Sequence, residues 1–314
     1  MKLNEVLSGY SLSDDEIEAG LRMLEFVQQD IASLGQSGNR FVDLLRQYPV
    51  YSPNPDQSAA LAVHYADPTD LNLMHLREQY DLDAIAGQGA EIDQLCNLMH
   101  WVHGLAIHTS NAVVPEKLNS LDLLHLIRTA GKHINCWMFA TILNDVYLAL
   151  GWKSRIVHLK PYKKDHIESH VVNSVYCQQL AKWLFFDPNL SAYFVDEWGE
   201  ILSVTEIRQR FVDGVALEVN DELAFNSDNR VFAALGQHFG KEFYRLYIAK
   251  NIFRYDCRQF STFDYESSLD GRVYIELLPL GYHAELLAQP QLTANYDQII
   301  YTTDRSRFWQ VSLQ

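Results

Sequence analysis

The stretch Gly131-Lys-His-Ile-Asn-Cys-Trp-Met-Phe-Ala-Thr-Ile-Leu-Asn-Asp-Val-Tyr-Leu-Ala-Leu-Gly151 organises the reading of the whole chain. Asn135 is a strong helix N-cap, and Ile134 with Phe139 has the spacing of a hydrophobic staple, so Cys136 takes the first helical position. The fourteen residues after Cys136 hold only three strongly polar side chains, Thr141, Asn144 and Asp145. A helix apolar nearly all round is buried, which makes this the central helix of its domain. Its first residue is a thiol. At a helix N-terminus that thiol meets roughly half a positive charge, which favours the thiolate. The free backbone N–H groups there are placed to receive an oxyanion. The alternative is a small buried hydrophobe, the commonest role of a free cysteine.

Downstream the period changes from helix to strand. Lys153 to Leu159, His170 to Cys177 and Lys182 to Asp187 alternate, with Gln178-Gln179 near a turn. His170 opens its strand, and Asp187 closes the apolar run Trp183-Leu-Phe-Phe-Asp-Pro. A hairpin of these two strands brings His170 beside Asp187, within reach of the helix end that carries Cys136. Nucleophile, base and orienting carboxylate in that arrangement are what thiol acyl transfer requires.

The order Asn135-Cys-Trp, then Ala149-Leu-Gly-Trp-Lys-Ser-Arg155, then Ser169-His-Val-Val, then Lys182-Trp-Leu-Phe-Phe-Asp-Pro188 resembles the transglutaminase-like superfamily of papain-fold proteins. The likeness is densest over His133 to Gly199, and Tyr80 to Thr109 is similar to the helical lead-in of bacterial members. The resemblance implies an α+β fold: a papain-like, transglutaminase-like core in which the Cys-bearing helix packs on an antiparallel sheet. It also implies a Cys136–His170–Asp187 triad; no cofactor is expected. All three positions hold the residue types that the family's chemistry needs.

Working outward, Asp14 to Leu34 has helical apolar spacing behind Ser13 as cap and the first-turn acids Asp14, Asp15 and Glu16, Arg40 to Gln47 is a second short helix, and Pro53-Asn54-Pro55 breaks the chain. Residues 1–57 therefore read as a helical N-terminal extension and 58–214 as the catalytic core, with helices over Ala90 to His108 and Ser120 to Ala130. Residues 215–314 read as a β-rich C-terminal region packed on the core. It holds one helix, Arg230 to Ala249, and strands near Ile252 to Phe260, Arg272 to Pro279, Gln298 to Thr303 and Phe308 to Leu313.

The formal charge of −15 repels phosphate backbones and anionic lipid, so neither nucleic acid nor a membrane surface is an expected partner. No apolar run approaches the ~20 residues of a membrane span. No signal peptide opens the chain, so a cytoplasmic location is expected, although the mature form of a secreted protein would read identically. The four cysteines, Cys96, Cys136, Cys177 and Cys257, show neither CxxC spacing nor a disulfide framework.

Weaker signals have plainer readings. His166-Ile-Glu-Ser-His170 lacks the His-Glu order of a zinc-protease helix, and His166 reads as a loop residue at the site entrance. Cys96, His100 and His103 share a helix face but find no fourth ligand, so no metal is expected. Trp101, Asn135 and Trp137 are the remaining candidates for the pocket wall or the oxyanion site, with Trp101 more naturally a core residue. The expected chemistry is acyl transfer or hydrolysis at a peptide, amide or thioester carbonyl through an acyl-thioenzyme on Cys136. A second reading is an amide-forming acyltransferase fed by carrier-bound thioesters in natural-product assembly, docked through Lys160, Lys163 and Lys164. A third is a catalytically silent binding module.

Overall fold

The computed structural model describes residues 7–22, 39–54, 61–131, 133–163, 169–268, 271–282, 291–292 and 297–311. Its centre is a seven-stranded sheet. In chain order the strands are β1 (Ser154–Lys160), β2 (His170–Cys177), β3 (Lys182–Phe186), β4 (Arg254–Arg258), β5 (Val273–Leu277), β6 (Gln291–Leu292) and β7 (Gln298–Thr302). Their spatial order is β6-β7-β5-β4-β1-β2-β3. The chain after residue 250 thus enters the sheet directly, with Val157 opposite Cys257 in the β1–β4 ladder.

The core strands β1, β2 and β3 pair antiparallel, and the sheet becomes mixed only in the C-terminal region. β5 and β7 run parallel, Val273 opposite Gln298, while the other pairs are antiparallel. A parallel pair cannot be joined by a tight hairpin, and β6 (Gln291–Leu292) lies between the two in chain order.

The Cys136–Ala149 helix packs against β2 and β1, and the helices Leu71–Gln79, Glu91–His103 and Ser120–Ala130 surround it. Every residue from Met138 to Ala149 is buried. Its three polar side chains each find a partner: Thr141 Oγ1 donates to Trp137 O at 2.9 Å, Asn144 Nδ2 to Ser261 Oγ at 3.0 Å, and Asp145 Oδ2 accepts from Ser120 N at 2.9 Å. Asn173 Nδ2 on β2 donates to Ala140 O at 2.9 Å. That bond fixes how far the helix stands from β2, and so where its first residue meets the strand that begins at His170.

Arg155, only 1% exposed, ties distant segments to the sheet. Its Nε donates to Tyr65 OH at 2.5 Å and its Nη1 to Phe308 O at 2.5 Å, while the guanidinium lies 4.4 Å from the Trp183 ring centroid. The last described turn is therefore a short helix, Arg305–Phe308, capped by Asp304, and not the strand expected from Phe308 onward. The helix expected over Arg230 to Ala249 is two, Arg230–Phe239 and Lys241–Asn251, broken at Gly240 where φ is +53°. A left-handed residue cannot continue a right-handed helix, and glycine adopts it without a Cβ penalty. Of the helix expected over Asp14 to Leu34, Asp14–Arg22 is described and the remainder lies outside the described residues. Among the described residues no helix is long and apolar enough to cross a membrane.

Candidate thiol site

Asn135 has extended backbone (φ −93°, ψ 173°), and its side chain accepts the Met138 N–H at 3.0 Å. Ile134 and Phe139 are both buried in the main core. Chain entry is thus fixed on both sides of Cys136. Cys136 itself is half-buried, while Cys177 and Cys257 are fully buried.

His170 Nε2 lies 2.6 Å from Asp187 Oδ2, with both side chains at 0% exposure. The carboxylate is held on every side. Its Oδ1 accepts from Asn189 N at 3.1 Å and Leu190 N at 3.3 Å, a turn built by the Asp187-Pro188-Asn189 sequence, and its Oδ2 also accepts from Tyr244 OH at 2.9 Å. His103 and His100 brace the same loop, at 3.2 Å from Pro188 O and 2.7 Å from Ser191 Oγ. The edge of Tyr247 meets the His170 ring at 5.0 Å between centroids. With Nε2 engaged by Asp187, Nδ1 is the ring nitrogen left over, buried and without a hydrogen-bond partner.

Electrostatics follow from this arrangement. Burial alone would push the Cys136 thiol up, but hydrogen bonds with His108 and His170, and the charge on those rings, bring it down to about 6. Burial would likewise depress His170. The Asp187 carboxylate, and after it Cys136, outweigh that and raise it to about 10. The stable form near neutrality is a thiolate–imidazolium pair. The other thiols go the opposite way, burial pushing Cys96 up to about 12 and Cys177 and Cys257 up to about 11.

His108 is the residue that the sequence reading missed. The helix expected to run through it ends at His103, and Ile107–His108 forms a two-residue parallel ladder with His133–Ile134. His108 pairs with Ile134, two positions before Cys136. A loop more than a hundred residues downstream completes the clamp: His108 N donates to Asn226 O at 2.9 Å, and Asp228 N donates to His108 O at 2.9 Å. Helical spacing through Met99, Val102 and Ala106 concealed this exit; Gly104 was the one local signal of it.

The other candidates fall elsewhere. Trp137 donates its indole N–H to Glu266 Oε2 at 2.9 Å, and Arg258 grips the same carboxylate. The Asn135 side-chain oxygen is used as the helix cap. Trp101 packs against Tyr80 at 5.9 Å as part of the core surroundings. His166 lies outside the described residues. Among the described residues no group of three or more His, Cys, Asp or Glu could hold a metal ion. Lys160 is not a free basic spot, since its ammonium is paired with Asp256 and, at 2.8 Å, with Glu276.

No protein-family model matches the sequence, and the curated proteins contain no match. Among solved structures, a protein of Cytophaga hutchinsonii described provisionally as a cysteine protease matches with a TM-score of 0.31 and 15% identity, covering 56% of each chain. The likeness spans little more than half of either protein.

Proposed function

We propose that this chain is a thiol-dependent enzyme of the transglutaminase-like type, acting on a peptide, amide or thioester carbonyl with Cys136 as nucleophile, His170 as its acid–base partner and Asp187 as the group that orients His170. One observation carries the reading: a half-buried thiol at a helix N-terminus interacts with an imidazole whose other nitrogen is 2.6 Å from a fully buried carboxylate.

In this reading the Cys136 thiolate attacks the carbonyl carbon, the S–C bond forms, and the π pair moves onto oxygen. The backbone N–H of Cys136, one of the first-turn donors without an intrahelical acceptor, faces that charge. Collapse expels the amine or thiol, which takes its proton from His170. His170, now neutral, accepts a proton from water or an amine as that molecule attacks the thioester, and the thiolate is restored. Water as acceptor makes the chain a hydrolase and an amine makes it an acyltransferase. The three-part layout of 1–57, 58–214 and 215–314 belongs to the same proposal, with residues from the last part reaching the triad.

The carrier-fed variant loses a support, because Lys160 is spent in an internal ion network. A silent binding module requires an ordinary thiol at Cys136, and the two imidazoles argue against it. The test is intact-mass detection of an acyl adduct after incubation with activated esters, peptides and thioesters. A single acyl group on the wild type, absent in Cys136→Ala, is the expected result. An unchanged adduct in Cys136→Ala would refute the assignment.

A further inference from the structure

The helix row of His100 and His103, whose residue types and spacing suggested metal ligands, meets the loop that follows β3. That loop, Asp187 to Ala192, is closed on itself: Asp187 N donates to Ala192 O at 2.8 Å, and Ala192 N donates to Asp187 O at 3.0 Å. Inside the closure, Asn189 N and Leu190 N converge on Asp187 Oδ1 at 3.1 and 3.3 Å, while Oδ2 meets His170 at 2.6 Å. The next residue is strained. Ser191 has a φ of +53°, a left-handed backbone that is unfavourable for any residue with a Cβ, and among the described residues it is the one buried non-glycine residue in that region. Glycine adopts this backbone without penalty, so a serine there is held by something other than its own preference. Two contacts from distant segments hold it: Ser191 Oγ lies 2.7 Å from His100 Nδ1, and Ser191 O accepts from Asn220 Nδ2 at 2.9 Å. His103 Nδ1, 3.2 Å from Pro188 O, secures the start of the same loop.

We propose that His100 is a positioning residue for this site: through Ser191 it holds the Asp187–Ala192 loop in its strained conformation, and so fixes the Asp187 carboxylate against His170. The proposal rests on the acyl-transfer reading above and gives the histidine row a role in it. If Ser191 relaxes to right-handed or extended backbone, the peptide groups before it rotate, and the N–H groups of Asn189 and Leu190 leave Oδ1. The carboxylate then keeps Tyr244 but loses its other anchors, and its bond to His170 lengthens. A His170 ring without an aligned carboxylate is a weaker partner for the Cys136 thiolate. His100 touches no reacting atom in this scheme and acts only through the loop.

Strain at one residue makes the role testable. Ser191→Ala and Ser191→Gly both remove the hydroxyl that meets His100, but only glycine adopts the left-handed backbone unaided. In the full chain, two quantities are measured for each variant: the acylation rate of Cys136 with p-nitrophenyl acetate, and the pH inflection of its alkylation by iodoacetamide. Ser191→Ala and His100→Leu are expected to acylate about tenfold more slowly, with the inflection raised by about one pH unit. Ser191→Gly, and the double variant His100→Leu with Ser191→Gly, are expected to return to within about threefold of the wild type. Unchanged rate and inflection in His100→Leu would overturn the proposal. So would a slower rate with an unmoved inflection, or a Ser191→Gly variant as impaired as Ser191→Ala. Should His100→Leu fail to fold, the two Ser191 variants decide alone. Cys136→Ala run alongside separates the two levels: if it acylates like the wild type, the acyl-transfer reading itself fails, while the alkylation inflections still decide whether His100 positions Asp187.

Discussion

The hydroxyl of Tyr244 donates to Asp187 Oδ2 at 2.9 Å, the same oxygen that meets His170 Nε2 at 2.6 Å. Tyr244 lies in the Lys241–Asn251 helix, fifty-seven residues beyond its partner. Burial first, and then the Asp187 carboxylate, hold its phenol well above the ordinary range, so it remains a donor. Together with the Tyr247 edge against His170, the helix fixes both the carboxylate and the imidazole from one side. A segment that carries none of the three proposed site residues therefore braces two of them.

Removing that hydroxyl in Tyr244→Phe leaves the packing of the ring, stacked on Phe194 at 5.3 Å, essentially intact. The loss of one hydrogen bond to a buried carboxylate is expected to cost about 1.5–3 kcal/mol. Urea unfolding measures it. Acylation of Cys136 is expected to slow several-fold as the imidazole loses alignment, with the thiol still alkylated at high pH. Unchanged stability and unchanged acylation would show that Tyr244 merely lies nearby.

The pH dependence of iodoacetamide labelling should single out one thiol of four. Cys136, brought down from 9.0 to about 6, is mostly thiolate at pH 7, so its labelling rate should be half-maximal near pH 6 and fall about tenfold per unit below that. In His170→Ala the inflection should move up, because a hydrogen bond and a positive charge are lost. Cys96, Cys177 and Cys257, all pushed up by burial, serve as silent controls in the same peptide map. An inflection for Cys136 at 8 or above would contradict the arrangement.

Asp145 makes a different pH prediction. It is 3% exposed, and burial pushes its carboxyl up from 3.8 to about 7, against the opposing hydrogen bonds from Ser120. The native state therefore keeps this proton up to about pH 7, whereas the unfolded chain releases it near 3.8. Between those values the unfolded state binds fewer protons, so stability falls as pH rises through the window. A shift of this size corresponds to at most about 4 kcal/mol. D145N keeps an acceptor for Ser120 N and does not titrate. Its advantage over the wild type in urea should grow from pH 4 to pH 8, and a difference independent of pH would remove Asp145 from the account.

The parts of the site written locally were the ones legible in the sequence. An Asn cap, a staple and an apolar run define the Cys136 helix within about twenty residues, because helix capping and amphipathicity are set by neighbours in the chain. The turn between β2 and β3 is also short-range, and it carries His170 to within 2.6 Å of Asp187. The Asp187-Pro188-Asn189 turn likewise encodes the two hydrogen bonds that the Asp187 carboxylate accepts from Asn189 N and Leu190 N.

What tertiary structure alone decided has no such local record. His108 comes to lie beside Ile134, two positions before Cys136, because Ile107 and His108 pair with His133–Ile134 and are clamped by 226–228. Tyr244 and Tyr247 reach Asp187 and His170 from a helix separated from its predecessor at Gly240. Lys160, exposed in appearance on an alternating strand, is consumed by Asp256 and Glu276 from β4 and β5. In each case the partner is distant in sequence, and its place follows from how packed layers meet. Periodicity and capping report which face a residue takes and where an element begins, but the identity of what lies across that face is fixed only when the whole core closes.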